Sequence, residues 1–206
     1  MGAGLRLVIA TTNPNKLLEI RGIMDGLDVT LDGLDAFPPI DEPEETGATF
    51  AENARQKAVY YSTHLGVPAV AEDSGLEIDG LGGEPGVQSA RYGGPAAATY
   101  PQKFALVYEG LRARSAMGSP ARFVCALAVA DGTRILFEAR GTVEGRVNDT
   151  PAGDGGFGYD PIFFYPPLNR TLAQLAEHEK ASVSHRGHAF RQLRDHLAAH
   201  PAFLQP

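Results

Sequence analysis

The stretch VIATTNPNKLLEI, Val8 to Ile20, changes its period halfway along. Leu5, Leu7, Val8 and Ile9 form a short apolar run suited to a buried strand, whereas Leu17, Leu18, Ile20 and Met24 recur at helical spacing. Between them stand Thr11, Thr12 and Asn13, which have capping side chains, and Pro14, whose fixed φ and missing N–H suit a first helical turn. The strand therefore gives way to a helix near Asn13. Such a junction aims unpaired backbone N–H groups and the positive end of the helix dipole at one spot, which favours an anion, and Lys16 adds a full charge one turn later. There is no G-x-x-x-x-G-K-[ST] in the stretch, so it is not a P-loop.

Outward from this junction, strands and helices alternate. TFAENARQKAVYYSTHL opens with Thr49 and Glu52 at capping-box spacing and keeps Phe50, Ala54, Ala58, Tyr61 and Leu65 on one face. VPAVAED reads as a short buried strand ending at two acids, and GLEID as a second extended piece. ARFVCALAVAD and RILFEARGTVEGRV read as a hairpin about Asp131 and Gly132. Helices are expected over about residues 99–114 and 186–199. The class is α/β with a mixed sheet, organised as one unit over residues 1–206.

Composition excludes several functions. With 206 residues and 43% hydrophobic content the chain can bury a substantial core. A net charge of −7 argues against a broad nucleic-acid-binding face, so any anionic ligand is held locally. The apolar runs fall far short of the roughly 20 residues that span a bilayer, and no signal-peptide h-region opens the chain, so a cytoplasmic protein without a membrane partner is expected. Cys125 is the single cysteine and reads as a buried core thiol.

The polar clusters carry the chemistry. EPEETG gathers Glu42, Glu44 and Glu45, and Glu72 and Asp73 interrupt an apolar run. Carboxylates collected at one site repel one another unless a hard cation joins them, and one or two carboxylates plus substrate phosphates is the usual Mg²⁺ arrangement. Gly155, Gly156 and Gly158 surround Phe157, so backbone can approach a ligand closely while Phe157 or Tyr159 stacks on a planar ring. Lys180, His185 and Arg186 supply donors suited to carbonyl oxygens.

Taken in order, TTNPNK, EETGATFAENARQKA, EDSGLEIDGLGGEPGVQSARY, GGFGYDPIF and EKASVSHRG resemble the inosine triphosphate pyrophosphatases, the RdgB-like noncanonical purine NTP pyrophosphatases, over about residues 6–197. The SHRG and FGYD stretches speak against a Maf-like relative of the same fold. The resemblance implies a twisted mixed sheet flanked by helices in two lobes around a cleft, a homodimer, Mg²⁺ dependence, and hydrolysis of ITP, dITP and XTP to monophosphate and pyrophosphate, which removes deaminated purines from the nucleotide pool. It assigns Asp73 as proton acceptor and metal ligand, with Glu44 or Glu45 as the second acidic ligand. Thr11, Thr12, Asn13, Pro14, Asn15, Lys16, Lys57 and Ser74 would contact phosphates; Phe157, Gly158, Tyr159, Asp160, Lys180, His185 and Arg186 would bind the base. Many bacterial members carry Asp-Asp where this chain has Glu72-Asp73, and the role of Glu72 stays open.

Overall fold

A computed structural model describes residues 5–200, 203 and 204. Its centre is a seven-stranded mixed sheet in the order β2-β1-β3-β4-β5-β6-β7. The strands are β1 (Leu5–Ile9), β2 (Val29–Gly33), β3 (Ala69–Ile78), β4 (Pro120–Asp131), β5 (Arg134–Val147), β6 (Phe163–Tyr165) and β7 (Arg170–Thr171). β1 pairs in parallel with β2, Leu7 opposite Leu31, and with β3, Ile9 opposite Val70. β5–β6 and β6–β7 are antiparallel.

The helices are α1 (Pro14–Ile23), α2 (Phe50–Leu65), α3 (Tyr100–Ala113), α4 (Glu177–Val183) and α5 (His185–Ala199). The expected caps are present. Asn13 caps α1, and Thr49 and Glu52 form a reciprocal capping box on α2. The β4–β5 turn leaves Gly132 and Thr133 between the strands, as the Asp-Gly signal predicts.

Contacts divide the chain into two compact units, one of Met1–Asp73, Cys125–Gly141 and His185–Pro206, the other of Ser74–Val124 and Thr142–Ser184. In the first, Leu7, Ile9, Ile20, Met24, Ala54, Ala58, Val70, Leu127, Phe190 and Leu193 are buried, and Cys125 is a buried free thiol as expected. In the second, Leu76, Ile78, Phe104, Val107, Leu111, Val143, Ile162 and Phe163 form a hydrophobic core that Tyr159 joins. Among the described residues no helix is long and apolar enough to cross a membrane.

One expectation about the sheet is corrected. Ala69–Ile78 is a single strand, so Glu72 and Asp73 lie in its middle and not at its end. Gly75, which suggests a break, serves a close approach instead: a Cβ there would lie 2.3 Å from Ser89 Oγ. β2, β7 and α4, of five, two and seven residues, are elements that the sequence pattern does not announce.

Candidate active site

Successive side chains of a strand project to opposite faces, so Glu72 and Asp73 serve different surroundings in the first unit. The same alternation separates Phe137, against His196 of α5, from Glu138, paired with Arg55 of α2. Asp73 meets α2. Its Oδ2 accepts from Asn53 Nδ2 at 2.9 Å, and Lys57 Nζ lies 3.6 Å from Oδ1. The same ammonium donates to Glu45 Oε1 at 2.7 Å. Burial pushes the Asp73 carboxyl upward, more than Lys57 and Asn53 pull it down, while burial lowers Lys57 less than Asp73 and Glu45 raise it. The result is a carboxyl of raised proton affinity beside an ammonium that keeps its charge.

The two loop glutamates differ in their surroundings. Glu45 joins Lys57, whereas Glu44 is exposed. Among the described residues no group of three or more His, Cys, Asp or Glu side chains is arranged to hold a metal ion. Glu45 and Asp73 remain as two carboxylates sharing one ammonium. That excess of hard, negatively charged oxygen suits a small divalent cation that completes its shell with water and phosphate oxygens.

On the other side of β3, Glu72 Oε1 receives Lys16 Nζ at 2.8 Å and Arg186 Nε and Nη2 at 3.4 and 3.2 Å. Arg186 Nη1 also donates to Glu19 at 2.6 Å. Burial pushes Glu72 upward, but Arg186, Lys16 and Lys57 outweigh it and hold the carboxyl well below the usual range. Arg186 is 1% exposed. Each of its three nitrogens thus donates to a carboxylate, Nε and Nη2 to Glu72 and Nη1 to Glu19. His185, also buried, begins α5 beside it.

The opening loop is partly self-capped. Asn13 Oδ1 accepts from the N–H groups of Asn15 and Lys16 at 3.0 and 3.3 Å, and Thr11 Oγ1 accepts from Asn13 N–H at 3.2 Å. The expected open crown of donors is corrected accordingly: these three N–H groups have partners within the loop. Thr12, Pro14 and Asn15 are exposed, and Lys16 is half-buried.

The second unit holds Ser74, half-buried on β3, and the aromatic segment. Asp160 Oδ2 accepts from Phe157 N–H at 2.8 Å and pairs with Lys180 Nζ at 2.7 Å, and that ammonium lies 4.6 Å from the Phe157 ring centroid. Gly156 permits the carboxylate to approach: a Cβ there would stand 2.2 Å from Asp160 Oδ2, and its φ of +66° is a left-handed conformation. Gly158, at φ +68°, passes close to Tyr100. Tyr159 is not available for stacking, because its ring is buried edge-on to Tyr100 and its hydroxyl donates to Ser89 O at 3.0 Å. Of the two rings, half-buried Phe157 remains.

Asn53, Glu19 and Glu72 complete these arrangements without being singled out for a role in the sequence. Only Glu72 carries a signal there, as a charge inside an apolar run.

The chain is an α/β protein whose mixed sheet is joined by a buried aspartate, a lysine-bridged glutamate and a self-capped strand–helix loop. The Ham1 family matches residues 7–196, and the chain belongs to that family. It is 44% identical over 189 residues to the dITP/XTP pyrophosphatase of Exiguobacterium sp., covering 92% of this chain and 95% of that one. It is 45% identical over 192 residues to the dITP/XTP pyrophosphatase of Thermus thermophilus, with 92% and 90% covered. A Ham1 protein from Coxiella burnetii superposes with a TM-score of 0.87 at 38% identity, over 95% of this chain and 99% of that one.

Proposed function

We propose that this protein is a Mg²⁺-dependent pyrophosphatase that hydrolyses ITP, dITP and XTP to the monophosphate and pyrophosphate. The observation that carries the reading is Asp73, buried, raised by that burial, and placed 3.6 Å from a lysine that also binds Glu45. Family membership and the names of the related dITP/XTP pyrophosphatases support it.

Glu45 and Asp73 would hold the metal, which when bound neutralises phosphate charge and lowers the pKa of coordinated water. Asp73 orients a water and takes its proton as the water oxygen bonds to the α-phosphorus. The bond from the α-phosphorus to its bridging oxygen breaks, and pyrophosphate leaves. Lys57 and Lys16 meet phosphate oxygens, joined by Ser74 and the polar groups of residues 11–15. In such loose transition states positioning and charge matter more than base strength.

Phe157 stacks on the purine, and Lys180 donates to the C6 keto oxygen of hypoxanthine or xanthine. Adenine has an amino donor there, so donor would face donor and ATP is rejected. His185 borders the base and Arg186 anchors the start of α5. The resemblance further implies a homodimer working in the cytoplasm.

The test is a panel of nucleoside triphosphates with Mg²⁺, resolving pyrophosphate from orthophosphate. Pyrophosphate from ITP, dITP and XTP is the expected result. Orthophosphate release, or equal turnover of ATP, refutes the reading.

A further inference from the structure

Glu72 takes no part in the chemistry just described, yet its side chain is 1% exposed and both oxygens are engaged. Oε1 is shared by Lys16 and Arg186, and Oε2 accepts from the Cys125 thiol at 3.5 Å. The pairs close on themselves: Lys16 of α1 to Glu72 of β3, Glu72 to Arg186 of α5, and Arg186 back to Glu19 of α1. A metal at this carboxylate would compete with those partners and meet the positive charge of Lys16 and Arg186 beside it.

We propose that Glu72 is a positioning residue that fixes the Lys16 ammonium for the triphosphate, and is not a metal ligand. The proposal rests on the assignment of Lys16 to phosphate binding. A lysine on a four-carbon stem loses rotamer freedom when it grips an anion, and a partner that holds it beforehand removes part of that cost. Glu72 can act as that partner because Arg186 immobilises it through two nitrogens, and Glu19 immobilises Arg186 in turn.

The test uses inorganic tripolyphosphate in the presence of Mg²⁺ as a calorimetric probe, so the outcome does not depend on hydrolysis. Glu72→Gln should weaken tripolyphosphate binding about tenfold in the wild-type background and less than about twofold in Lys16→Met, because coupled partners are non-additive. The concentration of Mg²⁺ at half-saturation should not move. Glu72→Asp keeps a counter-charge for Arg186 and should show the same pattern at smaller amplitude, which covers the case in which the glutamine variant does not fold. Equal losses in both backgrounds, tighter binding, a shifted Mg²⁺ midpoint, or no effect of Lys16→Met each overturn the proposal. Failure of the pyrophosphatase reading would appear separately, as absent pyrophosphate release by the unaltered protein.

Discussion

The Lys57 ammonium stands between two carboxylates, 2.7 Å from Glu45 and 3.6 Å from Asp73. Asp73 in turn is held by the carboxamide of Asn53. Asp73→Asn keeps an oxygen for Asn53 and removes the base, its charge and one carboxylate offered to the metal. We expect a folded protein whose kcat for the preferred triphosphate falls roughly 10²- to 10⁴-fold, the range for loss of a general base. Turnover like that of the unaltered protein, measured at saturating Mg²⁺, would reject Asp73 as proton acceptor.

Glu44 and Glu45 are neighbours with different surroundings. Glu45 is tied to Lys57, and Glu44 is exposed. Glu45→Gln should raise the Mg²⁺ needed for half-maximal activity by about tenfold or more, as loss of an important metal contact does. Glu44→Gln should leave it within about twofold, like most surface changes away from a site. Metal titrations of the two variants side by side decide the matter, and the reverse pattern would move the ligand to Glu44.

Glu72 and Asp73 are adjacent carboxylates displaced in opposite directions, so their pH effects have opposite sign. Glu72 is held low by Arg186 and Lys16 against its burial. Its contribution to stability is therefore fully present above the unfolded value, roughly 4.3, and is lost as pH falls through the lower folded value. Asp73 is raised by burial, so its ionisation costs stability, and that cost is present above the raised folded value. Urea unfolding at pH 7 should find Glu72→Gln destabilised by about 3–5 kcal/mol, as for a broken buried ion pair. Asp73→Asn should be as stable as the parent or more so. At pH 4 the gap between Glu72→Gln and the parent should narrow; a widening gap would reverse the sign assigned to Glu72.

The local features of this fold are legible in the chain because local side chains produce them. Asn13 caps its own helix, Thr49 and Glu52 sit three residues apart, and the β4–β5 turn carries its glycine. What is not legible is long-range partnership. Arg186 finds Glu72 across 114 residues, and nothing near either residue announces the other. The same holds for Tyr159, whose hydroxyl meets Ser89 across 70 residues and whose ring thereby belongs to the core. Gly75 misleads for a related reason: the neighbour that requires a glycine there, Ser89, is distant in sequence. Motif order nominates the site residues, but only packing separates Glu45, paired with a lysine, from Glu44, facing solvent.

Base choice is assigned to Phe157 and Lys180, which Asp160 holds together through one carboxylate oxygen. Lys180 lies 4.6 Å from the centroid of the Phe157 ring, so cation and ring are fixed as a pair. Loss of the ring and loss of the ammonium should have different consequences. Phe157→Ala removes stacking, which every base uses, at a cost of roughly 1–3 kcal/mol per base. Binding of all purine nucleotides should weaken together, with tripolyphosphate affinity nearly unchanged. Lys180→Met removes the donor to the C6 keto oxygen while keeping most of the stem. It also leaves Asp160 without its buried cation, so a lower melting temperature is expected alongside the kinetic effect. The informative quantity is the ratio of kcat/KM for ITP to that for ATP, since a change in the folded fraction cancels from it. That ratio should fall by at least tenfold in Lys180→Met, consistent with loss of a polar discrimination, and stay within about twofold in Phe157→Ala, because stacking does not distinguish the bases. A ratio unchanged in Lys180→Met would mean that Lys180 serves only to anchor Asp160, and that the C6 oxygen is read by another group.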